Sequence, residues 1–451
     1  MVHRYKMNNY NIALDINSGA VHVLDDVAFD VLGLYKSSTR EEIFNSLAYS
    51  QNEIVEAINE LKGLESAGTL FSEDAYAGLL DEINGREPVV KAICLHVTHD
   101  CNLTCKYCFA DEGGYKGSRS LMSFETGKAA LDFLIRNSGG RRNLEVDFFG
   151  GEPLMNFDVV KKLVEYARAE EKKHNKNFRF TVTTNGLLLT EEIQSYINEN
   201  MHNVVLSIDG RKEINDNMRK TKTGGGSYDI IMPKFKKLAD SRGQTNYYVR
   251  GTFTKGNLDF SGDVLHLADE GFKQISVEPV VADASEAYAI QVQDLDMVFK
   301  EYEALALKII SRKKNNQDFN FFHFMLDLEG GPCVSKRIAG CGAGTEYLAV
   351  APNGGLYPCH QFVGNEEFKI GDIYSGIKNH SLTEEFEKCN VYTKEACKEC
   401  FAKFYCSGGC LSNAYNFNKS IQKPYEIGCQ MQRKRVECAI MLKAHEAFAS
   451  L

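Results

Sequence analysis

No stretch of this sequence approaches the ~20 apolar residues that a membrane span requires. No apolar signal region follows the opening Met1-Val-His-Arg-Tyr5. These absences exclude a helical membrane protein and lead us to expect a cytoplasmic one. Basic residues are scarce at the start: residues 1–90 hold 6 Lys and Arg against 15 Asp and Glu, while the remainder balances 46 against 46. Nucleic acid needs a basic surface, so this asymmetry argues against it. It suits a basic peptide partner or, equally, acidic helix faces that keep the chain soluble. Gly224-Gly-Gly226 lacks a following Gly-Lys-Ser/Thr, which leaves a flexible turn rather than a phosphate loop. What is present is an ordinary globular composition: 451 residues, 43% hydrophobic and 25% charged, enough for about two to four domains.

Cysteine is plentiful, at 14. In a small secreted chain that would suggest disulfides; grouped at ligand spacings in a long one without a signal region, the cysteines read as reduced thiolates in an oxygen-poor setting. Cys101-Asn-Leu-Thr-Cys105-Lys-Tyr-Cys108 puts three thiolates in one short loop. Thiolates are soft donors that select iron-sulfur clusters, zinc or copper. The C-x3-C-x2-C spacing supplies three ligands where a closed site needs four, leaving one position open. A zinc knuckle borrowing a distant His, or three unrelated core cysteines, are the alternatives.

Strand-like alternation at Ile12-Ala-Leu14-Asp-Ile16, a turn at Asn17-Ser-Gly19 and Val21-His-Val23-Leu24 predict a hairpin. Three helices follow: one from Val27 to Leu34, and two opened by capping boxes at Ser38/Glu41 and Ser50/Glu53. The third carries an apolar stripe of Ile54, Ile58, Leu61 and Leu64 and ends near Gly68. This unit, residues 1–80, is winged-helix-like. Its lack of a basic recognition face argues against DNA, and a purely structural cap is the bland alternative. Residues 81–92 read as a linker. From Ile93 to residue 315, six apolar runs alternate with helical stretches: Ile93 to Val97, Leu144 to Phe149, Phe178 to Thr183, Val204 to Ile208, Tyr247 to Thr252 and Ile275 to Val280. Such alternation predicts an α/β fold with a parallel sheet, expected to close partly as a (β/α)6 barrel. Chemistry in parallel barrels sits at the carboxyl ends of strands, and the three-cysteine loop follows the first strand. The aromatic run Phe319 to Phe324 reads as core.

The C-x3-C-x2-C loop resembles the signature of the radical S-adenosylmethionine (SAM) enzymes. In that family a 4Fe-4S cluster on three cysteines, here Cys101, Cys105 and Cys108, leaves one iron free to chelate SAM. The resemblance extends to Tyr107 within the loop and to Gly150-Gly151-Glu152-Pro153 after the second strand, a motif that holds the SAM amino group. It also extends to Thr184-Asn185 at the end of the third strand and to Ser207 and Asp209 at the end of the fourth. Arg219 is implied as a carboxylate ligand, although its polar surroundings fit a surface role as well. Residues 316–451 carry Cys341, Cys359, Cys397, Cys400, Cys406, Cys410 and Cys429, which resemble the seven-cysteine SPASM pattern with two auxiliary 4Fe-4S clusters. The resemblance implies one cluster on Cys341, Cys359 and Cys410, with Cys333 as fourth ligand on a Gly-rich, movable loop. It implies the other on Cys397, Cys400, Cys406 and Cys429. A zinc ribbon would leave Cys341, Cys359 and Cys429 unexplained. Cys94, Cys389 and Cys438 fit no ligand spacing and read as core.

A peptide-recognition module ahead of such a barrel resembles maturases of ribosomally made peptides, in particular the SCIFF maturases, named for six cysteines in forty-five residues. Membership would imply three 4Fe-4S clusters, SAM, a reducing electron donor and a Cys-rich precursor whose leader adds a strand to the hairpin edge. The reaction would be α-thioether formation, joining Cys sulfur to the α-carbon of a residue such as Thr. The alternatives are an anaerobic sulfatase maturase, in which an Asp stands where this chain has His360, and a non-enzymatic iron-sulfur electron-transfer protein, which the Gly150 to Pro153 motif opposes.

Overall fold

The computed structural model describes residues 1–449 apart from 81, 83, 84, 86, 87, 116 and 329–332. Part of the expected linker, and the Gly-Gly-Pro run ahead of Cys333, lie outside the described residues. Three antiparallel strands open the chain, β1 (Val2–Met7), β2 (Tyr10–Asp15) and β3 (Val21–Leu24), in the order β1-β2-β3. The expected hairpin is β2-β3; β1 adds a strand the alternation did not announce. Helices α1 (Asp26–Leu34), α2 (Arg40–Ser46) and α3 (Gln51–Ser66) pack on this sheet through Ala28, Val31, Ile43, Ile54, Ile58 and Leu61, a core of their own. The Ser50/Glu53 capping box forms, but α2 is capped by Thr39 and Glu42, one residue beyond the expected Ser38/Glu41. Thr39 has the extended backbone that lets its hydroxyl accept from the Glu42 amide while Glu42 reaches back.

The barrel strands are β4 (Ala92–Thr98), β6 (Asn143–Gly150), β7 (Asn177–Thr184), β8 (Asn203–Ser207), β10 (Tyr247–Phe253) and β11 (Gln274–Pro279). They lie side by side and parallel in the order 4-6-7-8-10-11. Helices between them give the crossovers that parallel strands need. A short antiparallel pair, β5 (Leu103–Cys105) with β9 (Arg219–Thr221), ties the cysteine loop to the segment after β8. At one end β12 (Asn320–Phe321) extends the sheet; at the other, β13 (Tyr347–Val350) joins β4 in parallel, followed by β14 (Gly355–Tyr357), β15 (Gly371–Asp372) and β16 (Gly376–Ile377). The sheet therefore has two ends and forms a partial barrel. Its last four strands come from the cysteine-rich C-terminal region.

On β6, Leu144, Val146 and Phe148 are buried against the outer helices, through Leu131, Leu134 and Leu163 among others. The alternate positions Glu145, Asp147 and Phe149 are only half-buried and face the other way. The concave face thus carries polar side chains around a cavity instead of the packed layers of a closed barrel. Phe319, Phe321 and Phe324 are core, as expected, whereas Phe322 is exposed. Among the described residues, no helix is long and apolar enough to cross a membrane.

Candidate functional site

The carboxyl end of the sheet opens into a cavity of about 320 Å³, within the range of small-molecule sites. Cys101, Cys105 and Cys108 line it, with Tyr107, Gly150, Gly151, Glu152, Thr184, Asn185, Ser207 and Arg219. Of the residues implied by the resemblance, Pro153 and Asp209 stand behind this wall. Pro153 is buried at the start of a 3-10 turn, and Asp209 is buried where it accepts from Tyr107 Oη at 2.7 Å on both oxygens.

Close backbone contact builds the cysteine wall. The Gly151 amide donates to Thr98 O at 3.0 Å and the Glu152 amide to Asp100 O at 2.9 Å, fixing the end of β6 against the residues just before Cys101. A Cβ on Gly151 would fall 2.0 Å from Asp100 O, and one on Gly150, at φ +138°, 2.1 Å from Thr98 O. Only glycine fits either place. Glu152 accepts from Leu154 N, Thr184 Oγ1 and Asn185 N at 2.7–3.1 Å. Burial nonetheless pushes its carboxyl up to about 7, against those hydrogen bonds. A cationic group entering beside it would restore the carboxylate.

Arg219 corrects the surface reading. It is buried, its Nη1 donates to Tyr107 Oη at 2.8 Å, and Asp209 lies 3.9 Å away. Pairing of β9 with β5 carries it inward. Its Nε is buried without a partner, spare donor capacity at the edge of the cavity that suits a carboxylate. Burial raises the Cys101 and Cys105 thiols, to about 12 and about 11, so thiolates here call for a neighbouring cation such as iron. Among the described residues no three metal-binding side chains already converge on one point. Donor type, the spare guanidinium and the buried carboxylate all fit a SAM-chelating cluster held by Cys101, Cys105 and Cys108.

The C-terminal region closes the same cavity. His360, directly after Cys359, lines it, as do Gln361, Asn413 and Asn416. The His360 ring packs on Phe149 and Phe109 with centroids 5.2 and 5.7 Å apart; Tyr347 Oη meets its Nδ1 at 3.2 Å, and burial holds it down at about 4, neutral. The remaining cysteines fall into two groups of electrostatic neighbours. The Cys359 thiol is raised by burial and then by Cys410 and Cys341; Cys429 is raised by burial and then by Cys406, Glu426 and Cys397, and Cys406 by burial and then by Cys397 and Cys400. Each group lies within one of the sets that the resemblance implied, and Cys333 is in neither. Cys333 is exposed at the start of the helix Val334–Ala339. Cys94, Cys389 and Cys438 are buried.

The sequence reading missed Arg250 and Glu278, which line the cavity from β10 and β11. A single charged residue inside each strand was the available signal.

Residues 95–255 match the Radical SAM superfamily model. An uncharacterised protein of Methanocaldococcus jannaschii is 38% identical over 135 residues, which are 30% of this chain and 44% of that protein, so the chain spans less than half of that relative. A cysteine-type anaerobic sulfatase-maturating enzyme of Clostridium novyi is 25% identical across 70% of this chain and 86% of its own. The radical SAM cyclopropyl synthase TigE of Paramaledivibacter caminithermalis is 24% identical across 90% of this chain and 86% of its own. Among solved structures, anSMEcpe with bound AdoMet and Kp18Cys peptide superposes with a TM-score of 0.65 at 21% identity, covering 78% of this chain and 98% of that one. Streptococcus suis SuiB bound to precursor peptide SuiA gives 0.52 at 16%, covering 94% and 97%. The fold is shared with these enzymes. The matched segment, which holds the three-cysteine loop, Glu152 and Arg219, is similar to the radical SAM superfamily, and peptide-modifying maturases stand among the proteins that the chain is similar to.

Proposed function

We propose that the protein is a maturase that forms α-thioether cross-links, Cys sulfur to α-carbon, in a ribosomally made Cys-rich peptide. The observation that carries this reading is that His360, next to Cys359 of one C-terminal cysteine set, lines the same cavity as Cys101. A thiolate-binding centre and a hydrogen-abstracting centre would then face one substrate. When bound, the cluster and SAM supply reductive cleavage to methionine and a 5′-deoxyadenosyl radical that takes a hydrogen atom. The chain's own residues do the positioning. Glu152 holds the SAM ammonium, Arg219 its carboxylate through the spare Nε, and Tyr107, bridging Asp209 and Arg219, sets that guanidinium. Forming S–Cα would remove one hydrogen atom from carbon, taken up by the 5′-deoxyadenosyl radical to give 5′-deoxyadenosine, together with the thiol proton and one electron. The electron needs an acceptor, and auxiliary clusters on the two C-terminal cysteine sets would supply it.

The N-terminal module supports a peptide substrate. Strand β3 ends its sheet, leaving an edge on which a leader strand can pair. Relatives whose names denote sulfatase maturation sustain a second reading, formylglycine formation, in which neutral His360 would accept the proton. One anaerobic incubation with SAM, dithionite and a synthetic six-cysteine peptide separates them. The expected products are 5′-deoxyadenosine and a peptide lighter by two hydrogens per bridge. An aldehyde captured by hydrazide would establish the second reading instead, and an unaltered peptide would sink the first.

A further inference from the structure

Two charged side chains from neighbouring strands, Arg250 and Glu278, also line the cavity. Arg250, in mid-strand on β10, is in register with Ser207 of β8 and Ser276 of β11; Glu278 of β11 is in register with Thr252. Arg250 Nη2 donates to Glu278 Oε1 at 3.2 Å, a single contact between side chains 52% and 34% exposed. An ion pair this open stabilises little by itself, and charge on the concave face of a barrel is costly where apolar packing would serve. The structure supports it all the same. Against its burial, the Glu278 carboxyl is held ionised by His323, Arg250 and Arg435 acting together; Arg435 is buried, its Nε donates to Tyr302 Oη at 2.8 Å and its Nη1 meets His323 Nδ1 at 3.2 Å, and His323 in turn meets Ser276 Oγ at 3.3 Å. One further guanidinium nitrogen, Arg435 Nη2, is buried without a partner. A second polar apparatus is thus held in place here, with none of the groups assigned to SAM.

A guanidinium offers five N–H donors and a carboxylate about four acceptor sites. One of each is used in the pair, and both residues line the cavity. Donor and acceptor sit 3.2 Å apart, so a substrate side chain of either charge would meet a like charge beside its partner. A neutral group that presents both a carbonyl and an N–H suits them together. An extended peptide backbone is that group.

We propose that Arg250 and Glu278 clamp the substrate backbone at the residue that loses hydrogen, Arg250 donating to its carbonyl and Glu278 accepting from an N–H. Such a clamp would turn the α-hydrogen, rather than a side-chain hydrogen, toward the SAM side of the cavity. This rests on the peptide-maturase reading, yet it can fail separately, because its test reads binding rather than turnover.

The probe is the synthetic six-cysteine peptide, bound to the cluster-loaded enzyme with SAM and without reductant. It is compared with versions N-methylated singly at each Thr. Methylation at the clamped residue should weaken binding to the wild-type enzyme about tenfold, the size of one hydrogen bond to a charged group. In Glu278→Met, which has no acceptor, the unmethylated peptide should already bind about tenfold more weakly and methylation should add nothing. Arg250→Met should likewise weaken the peptide about tenfold. Iron content equal to wild type certifies that each variant is folded. Methylation penalties that persist undiminished in Glu278→Met would overturn the clamp, as would an Arg250→Met loss that follows SAM affinity instead of peptide affinity. If the clamp passes and the wild-type enzyme still leaves the peptide unaltered under reductant, the thioether reading alone fails.

Discussion

The loop that holds Cys101, Cys105 and Cys108 and the C-terminal region that holds the other candidate ligands meet at one cavity but are built differently. The loop is pinned before any iron arrives: glycine contacts fix β6 against it, Glu152 accepts three hydrogen bonds, and Tyr107, Asp209 and Arg219 interlock beneath it. Of the C-terminal cysteines, Cys397 and Cys406 sit on the short helices Glu395–Lys398 and Lys403–Cys406 and Cys341 and Cys410 are exposed, while Cys429 is carried by the long helix Glu426–Ala449. A site that must aim a reactive carbon is preorganised by protein, whereas sites that hold electrons can be organised by their metal, whose binding energy is then folding energy.

That contrast can be broken at several points. Replacing Cys101 by Ala should lower 5′-deoxyadenosine formation by about a thousandfold or more, over 4 kcal/mol of barrier, since no other side chain replaces the thiolate that would hold the cluster there. Detection of 5′-deoxyadenosine by chromatography checks it. Cys397→Ala should instead leave SAM cleavage measurable while removing about four of about twelve irons. It should also lower the melting temperature, because metal binding is part of that region's folding. Loss of cleavage with the barrel cluster intact would mean that the two regions are not separable.

Glycines draw the same distinction in stability. Gly151→Ala must force Asp100 O back from 2.0 Å and should cost about 3 kcal/mol with a loss of SAM affinity. Gly409→Ala, at φ +74° with nothing within 4 Å, pays only left-handed backbone strain, about 1 kcal/mol. Denaturant midpoints on the cluster-loaded protein compare them.

Glu152 adds a pH dependence. Its folded pKa of about 7 lies above the unfolded 4.5, so it favours the folded state at low pH, a contribution lost as pH rises from about 4.5 to about 7. Binding of an ammonium needs the carboxylate, so SAM affinity should rise up to about tenfold between pH 6 and 8. Glu152→Gln should flatten that profile; an unchanged slope would remove Glu152 from the amino-group role.

The barrel was legible because its signals are local. Apolar runs of strand length, alternating with amphipathic helices, located all six parallel strands to within a residue or two, and the loop spacing singled out the three cysteines that line the cavity. What was not legible depends on tertiary contact. Arg219 reads as surface because its neighbours Lys220, Thr221 and Lys222 are polar, and only the pairing of β9 with β5 turns it inward. The extension of the barrel sheet by β13 is equally silent, since Tyr347-Leu-Ala-Val350 is a short run whose partner, β4, lies some 250 residues earlier. Arg250 and Glu278 announced themselves only as exceptions within strands, which have meaning once the concave face is known to be a cavity.

The smallest effect is expected at Cys333. The other members of its proposed cluster, Cys341, Cys359 and Cys410, influence one another electrostatically, and Cys359 is buried among them; Cys333 is exposed and stands at the start of a short helix. A four-iron cluster can persist on three protein ligands when its fourth position is exchangeable, the arrangement proposed for Cys101, Cys105 and Cys108. Cys333→Ala should therefore keep close to the full complement of about twelve irons and alter only the electronic signature of one cluster when a small thiol is added. Loss of four irons would make Cys333 a permanent ligand, closing the position that a substrate thiolate would need and directing the C-terminal clusters to electron storage alone.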